Sequence, residues 1–433
     1  MLPGQARLIC TSTSKSTVDF KKIMAAVPAL LQHQPERLKA EILQRRTEAL
    51  VDDATFYELA KHLPEYPTLS YEGFQQLRLE RVPKNMQKYF TPSLFLMLTR
   101  SEQGNIVTED LLRFIQRSMD VESTLLQLLR FAKDGLMPGG FITEQELERY
   151  LFQSIPEISG FERMPSSFHP YYVFTSGRRF FFFLDPKRTH RLNIKKLGHS
   201  TVMEELLYMK RLSQVHRDMS PTQQQVSTNW FSGENAMKLY SLFVGLDKDK
   251  NGVLSVDEMM QFGGTPEEPA QLTRVALEKI FEVNITFSPV EMDYKAFLDL
   301  CLALENKATV ESMSYFWRTI DIEKCGRLTP TAIAYFYRGI YESLRSVNYD
   351  APNPANIQVE VYDILGCNDP RGPTFDELCK SGQGHVVLSM LLDTNSFWCY
   401  DNRESLAQNN RGGKMSEGEK VDDEDDEDDD NRF

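Results

Sequence analysis

Asp247, Asp249 and Asn251 put oxygen-bearing side chains at the first, third and fifth places of DKDKNGVLSVDE (247–258), with Ser255 and Glu258 at the ninth and twelfth. A lone glycine, Gly252, stands at the sixth. A hard cation such as calcium takes about six to eight oxygens, and a short loop supplies them by turning alternate side chains inward. Val253 adds its carbonyl, Ser255 can hold a bridging water, and Glu258 can bind through both oxygens. Every position of the D-x-[DN]-x-[DN]-G-x5-E form is met, so these six residues are the predicted ligands of one Ca2+.

Such a loop needs two helices and a partner. Leu239, Leu242, Phe243 and Leu246 recur at i, i+3, i+4 and i+7, one face of an entering helix, and Met259, Met260 and Phe262 open a leaving one. Leu254, at the eighth place, is the apolar anchor to a neighbouring loop. The pattern predicts a helix-loop-helix of the EF-hand type.

Worn copies recur along the chain. TRSEQGNIVTED (99–110), GLMPGGFITEQE (135–146) and DIEKCGRLTPTA (321–332) keep glycine at the sixth place and Ile106, Ile142 or Leu328 at the eighth. Starts at 99 and 135 lie 36 residues apart, which predicts that these two pack as one pair. DPKRTHRLNIKK (185–196) has Lys187, His190 and Lys196 where ligands or glycine belong; a further loop is expected near 285, and DPRGPTFDELC has Pro373 in the anchoring place. Thr99, Gly135 and Ala332 replace the acid at the first or twelfth place, so these copies are expected to keep the scaffold without the ion.

The fold class that follows is mostly α: tandem EF-hand-like helix-loop-helix modules, one intact calcium loop and several degenerate ones, after an N-terminal helical segment. The expected division is a flexible 1–20, a helical segment over 21–90, a first module over 91–215 with loops near 99, 135 and 185, and a second over 228–400 with the 247–258 loop and degenerate loops near 285 and 321. In the N-terminal segment Leu38, Ile42 and Leu43 share a face, and 201–212 reads as another amphipathic helix. The run RRFFFFLD (178–185) suits a buried helix ahead of the Asp185 loop, with Arg178 and Arg179 as surface contacts.

Composition narrows the function. The chain has 433 residues, 41% hydrophobic, and no run near the roughly 18 apolar residues of a membrane span. Net charge is -13, but 417–430 alone carries eleven acids and one lysine, so 401–433 is expected to be a disordered acidic tail. The remaining charge is near neutral and offers no nucleic-acid surface. Six scattered cysteines, without a CxxC pair, read as reduced thiols, and a cytoplasmic address follows, with the nucleus as an alternative. There is no GxxxxGK[ST], GxSxG or HExxH, and the seven histidines are isolated; no catalytic residue is assigned.

RRFFFFLDPKRT, NWFSGENAMKLYSLFVGLDKDKNGVLSVDE, EMDYKAFLDLCLALENK and SFWCYDNRESL, in that order, resemble the B-double-prime regulatory subunits of type 2A protein phosphatase, most nearly the gamma branch with the plant tonneau/fass proteins. The likeness runs from about residue 35 to about 407. It implies an elongated helical body with two EF-hand modules that docks on the scaffold subunit, touches the catalytic subunit and directs where the phosphatase acts. It also implies that the calcium loop falls on Asp247, Asp249, Asn251, Val253, Ser255 and Glu258, that filling it supports assembly, and that work is done at microtubule-organising structures such as the centrosome. The chain departs from that pattern in a short N-terminal region, where VPALLQHQPERLKAEILQRR stands for a longer scaffold-contacting segment, in His190 for glycine, and in lacking a first-module calcium site. Two other readings are a free-standing calcium sensor, disfavoured by a single intact loop, and a calcium-binding cytoskeletal adaptor acting without phosphatase.

Overall fold

A computed structural model describes residues 36–63, 67–98, 101–134, 140–158, 160–161, 164–214, 228–263, 272–284 and 290–405. Two compact units divide it, Met1–Gly140 and Phe141–Phe433. The boundary falls inside the 91–215 stretch that spacing assigned to one module. The expectations for 1–20 and for the tail from 406 onward lie outside the described residues.

In the first unit, α1 covers 36–48, followed by α2 (Asp53–His62), β1 (Thr68–Leu69), α3 (Tyr71–Glu80), α4 (Pro92–Met97), β2 (Ile106–Val107) and α5 (Thr108–Phe131). Asp52, Ser70 and Thr91 each accept a hydrogen bond from the first turn of the helix they precede, which fixes where α2, α3 and α4 begin. Phe74, Met86, Phe90, Ile106, Leu111 and Ile115 form a sealed core. Leu38, by contrast, is exposed on α1.

Strand pairing corrects one expectation. Ile106 of the 99–110 loop pairs with Leu69, not with Ile142, so its partner is the 62–73 stretch. That stretch, HLPEYPTLSYEG, keeps an apolar Leu69 at the eighth place but has Pro67 at the sixth in place of glycine, so half of the worn-loop signature is missing.

The second unit repeats the arrangement three times. β3 (Phe141–Thr143) pairs with β4 (Arg191–Asn193), joining the 135 and 185 loops between α6 (Glu144–Ser154), α7 (His169–Leu184), α8 (Ile194–Gly198) and α9 (Thr201–Gln214). Next come α10 (Gly233–Leu246), β5 (Leu254–Ser255), α11 (Val256–Met259), α12 (Arg274–Asn284), β6 (Glu291–Met292) and α13 (Tyr294–Glu305), with Leu254 opposite Met292. The last group is α14 (Val310–Ile320), α15 (Pro330–Ser346), α16 (Pro354–Leu365), α17 (Phe375–Lys380), α18 (Gly384–Leu392) and α19 (Thr394–Asp401). Here a single bridge joins Arg327 to Thr374, with the Leu328 N–H donating to the Pro373 carbonyl at 2.9 Å. Proline has no N–H to return the bond, which keeps this ladder shorter than the others.

The anchoring side chains Ile106, Ile142, Leu192, Leu254, Met292 and Leu328 are all buried. Burying one such side chain stabilises by about 1.5–3 kcal/mol, which helps to hold the loop in place without calling on an ion. Phe180, Phe181 and Phe182 of α7 are buried and Phe183 packs at the core edge, as a helix hydrophobic on all sides requires. Residues 401–405 belong to the folded body: Tyr349 donates to Asp401 and Asn402 donates to Tyr349. Among the described residues no helix is long and apolar enough to cross a membrane.

Candidate metal centre

The 247–258 loop begins where α10 ends. Leu239, Phe243 and Leu246 bury the inner face of that helix, while Leu242, expected on the same face, is exposed. Asp247 then turns the chain by accepting from the Asn251 N–H at 3.1 Å and the Gly252 N–H at 3.0 Å. This turn holds Lys250 at φ 58° and Gly252 at φ 84°, a region where glycine carries no Cβ penalty.

Asp249 accepts from the Asn251 N–H and side-chain amide, and the Asn251 side-chain oxygen accepts from the Val253 N–H at 2.9 Å. Glu258 closes the circle. One of its oxygens takes the Lys248 N–H at 2.9 Å, and the other takes the Ser255 N–H and hydroxyl at 2.9 and 2.8 Å. Ser255 and Glu258 thereby form the capping box that starts α11. That leaving helix is only one turn long, shorter than Met260 and Phe262 suggested, although both pack against the core.

Carboxylate oxygens of Asp247, Asp249 and Glu258 lie within 4.8 Å of one another, and among the described residues they are the one such group of three acidic, histidine or cysteine side chains. Asn251 is tied into the same turn, Val253 follows it, and Ser255 is shared with the cap. All donors are oxygens, a set that fits a hard divalent cation and not zinc, which takes nitrogen and sulfur. Slight burial would raise the Glu258 carboxyl, but hydrogen bonds from the Ser255 backbone and hydroxyl and from the Lys248 and Asp249 backbone outweigh it. The group is held below the ordinary carboxylate range, charged and ready for a cation.

Two worn loops repeat the same clamp without the rest. Asp321 accepts from the Cys325 and Gly326 N–H groups, both at 2.9 Å, and Asp185 accepts from Thr189 at 2.9 Å and His190 at 2.7 Å. Lys324 and Arg188 share the left-handed conformation of Lys250, and His190 adopts it at φ 57° where the others have glycine. Glu146 and Glu377, at the twelfth place of their loops, form capping boxes with Thr143 and Thr374. The 285 loop has Asp293 as helix cap and Ala296 where Glu258 stands in its partner.

Arg178 and Arg179, expected at the surface, are instead half-buried in ion pairs. Arg178 grips Asp299 with two hydrogen bonds of 2.8 and 2.7 Å and lies 3.6 Å from Glu144, while Arg179 grips Glu205 at 3.2 and 2.9 Å. Lys295 joins Glu144 and Glu148, so α6, α7 and α13 are laced by charge beside the apolar core. Two arginines opening an otherwise aromatic run were the available signal, since a cation within a buried helix requires a partner.

No family model matches the chain. Two proteins named B'' subunit gamma, regulatory subunits of serine/threonine-protein phosphatase 2A from Bos taurus and Homo sapiens, are each 31% identical to it over 400 residues, 90% of this chain and 84% of theirs. A protein of Arabidopsis thaliana named as the probable B'' subunit TON2, again a phosphatase 2A regulatory protein, is 30% identical over 374 residues, 84% of this chain and 73% of its own length. A solved PP2A PR70 holoenzyme, described as a diCa form, shares the fold with a TM-score of 0.52 at 17% identity, over 63% of this chain and 97% of that one. The relatives are regulatory and not catalytic subunits by name, which sets the class: a mostly helical, non-catalytic regulatory protein. The chain belongs to the B'' regulatory subunits of serine/threonine-protein phosphatase 2A.

Proposed function

We propose that the chain assembles with the scaffold and catalytic subunits of a type 2A phosphatase, and that one calcium ion in an EF-hand loop at 247–258 braces the assembled form. The observation that carries the reading is the convergence of Asp247, Asp249 and Glu258 within one turn of a loop paired to its neighbour through Leu254 and Met292. Membership of the B'' family and the fold shared with a PP2A holoenzyme described as diCa support it.

Asp247, Asp249, Asn251 and Glu258 would hold the ion through side-chain oxygens, Val253 through its carbonyl and Ser255 through water. The cation supplies charge that relieves the crowding of three carboxylates and fixes the angle between α10 and α11. A single site makes calcium a brace and not a steep switch, because cooperativity requires coupled sites. The reading extends to a cytoplasmic place at microtubule-organising structures, supported by the sequence likeness to the tonneau/fass branch.

The test is capture of purified phosphatase scaffold and catalytic subunits by the full chain, in calcium and then in chelator. Capture that weakens in chelator supports the brace. Capture indifferent to calcium keeps the phosphatase role and removes the ion from it. Absence of capture in both conditions overturns the assembly reading in favour of a cytoskeletal adaptor, and imaging of the tagged chain against a centrosomal marker tests the location.

A further inference from the structure

The 366–377 loop, GCNDPRGPTFDE, lacks the residues that shape a metal loop: Gly366 stands at the first place, where an acid belongs, and Arg371 at the sixth, where glycine belongs. It keeps Asp369 at the fourth place, Glu377 at the twelfth and the carbonyl of Gly372 at the seventh, the place that Val253 holds in the 247–258 loop. Two acids and a carbonyl in one turn leave negative charge to be balanced.

Arg327 brings a cation from the paired loop. Its guanidinium donates to the Gly372 carbonyl at 2.6 Å and lies 3.1 Å from the Asp369 carboxylate, both side chains half-buried. The Leu328 N–H beside it donates to the next carbonyl, that of Pro373, at 2.9 Å, so side chain and backbone grip consecutive residues. The two loops approach closely there: a Cβ on Gly372 would overlap the Leu328 carbonyl oxygen, which restricts the seventh place to glycine. Arg371 grips Asp369 as well, at 2.8 Å, but from an exposed position. Its hydrogen bonds and then the Arg327 charge hold the Asp369 carboxyl well below the ordinary carboxylate range, and the Arg327 charge adds to the Thr374 hydrogen bonds that lower Glu377. Arg191 offers a contrast: it has the seventh place of the 185–196 loop, opposite Thr143, and its exposed side chain meets no acid among the described residues.

We propose that the 366–377 loop is a cation site whose resident ion is the Arg327 guanidinium, and that the site takes a small guanidinium ion when Arg327 is removed. A planar fork can serve a carbonyl and a carboxylate at once, whereas two acids and one carbonyl fall short of the roughly six to eight oxygens that calcium takes. The last loop pair thus carries its cation in the chain and needs no metal. The site uses no residue of the 247–258 loop, so it stands or falls apart from calcium.

The experiment is chemical rescue of the full chain in chelator, followed by thermal melts. R327A should melt roughly 2–4 °C below the parent. Methylguanidinium chloride, far below denaturing concentration and compared with equal sodium chloride, should recover most of that loss in R327A and move neither the parent nor R191A. R327K, which keeps the charge without the fork, should melt between the parent and R327M, which keeps only the apolar stem; this order carries the test if R327A fails to fold. Methylguanidinium that leaves R327A unchanged or raises R191A equally, R327M that melts with the parent, or R327K no better than R327M overturns the proposal.

Discussion

The 247–258 and 321–332 loops begin alike and end differently. Each opens with an aspartate clamping the N–H groups of the fifth and sixth residues, each holds a lysine in the left-handed region at the fourth place, and each buries a leucine at the eighth. At the twelfth place one has Glu258, facing its own loop, and the other has Ala332, buried against the core. The first, sixth and eighth places therefore shape and dock both loops, and the fifth and twelfth set them apart, Asn251 and Glu258 against Cys325 and Ala332. That division explains why worn copies persist: they lose ligands while the residues that shape and dock the loop remain.

The largest test of the division is Glu258→Gln. Removing one ligand charge should weaken calcium binding by a factor on the order of 100, read by isothermal titration, with helical content by circular dichroism nearly unchanged. Retained affinity would break the assignment of the twelfth place. Next is Asp321→Ala, which strips the acceptor from two backbone N–H groups and should cost about 2 kcal/mol in denaturant unfolding, equally with and without calcium. A calcium-dependent loss there would mean that the worn loop still holds an ion.

Acid sharpens the same contrast with a smaller effect. Glu258 is raised by burial but lowered further by hydrogen bonds, and Glu377 is lowered by the Thr374 backbone and hydroxyl. Both have folded-state values below the ordinary one, so the stability they add is present above about pH 4.5 and is lost as pH falls through those lower values. Thermal melts over that acid range should show a shallower fall for Glu377→Gln than for the parent chain. Smallest of all is His190→Gly, which relieves a left-handed residue and should raise stability by up to about 1 kcal/mol, less whatever its 3.4 Å approach to Glu144 supplies. A loss would show that the contact outweighs the strain.

Local chemistry made much of this legible in sequence. The spacing of Leu239, Phe243 and Leu246, the four phenylalanines and the apolar eighth places each report a requirement that acts within a few residues, and the helices and loops follow from them. Pairing was less legible, because it joins distant segments: Ile106 meets Leu69 across a loop whose prolines and tyrosine hide its kinship. Burial of Arg178 beside Asp299 was hidden for the same reason, since the partner lies 121 residues away. At the candidate metal centre, all three carboxylates come from one twelve-residue segment, which is why their meeting could be read without a structure.

Pro373 carries a further consequence for motion. Where Leu254 and Met292 face each other, both strands can offer amide protons, whereas the ladder of the last two loops runs through the Leu328 amide with a proline opposite. In deuterium, exchange at that join has the Leu328 amide as its backbone reporter, and a brief parting of the strands breaks that bond together with the Arg327 side-chain bond to the Gly372 carbonyl and its ion pair with Asp369. The join of Arg327 and Thr374 thus leans on a side chain where the other ladders lean on backbone, and slow breathing there should quicken once Arg327 is removed, well away from the loop that gathers the acids.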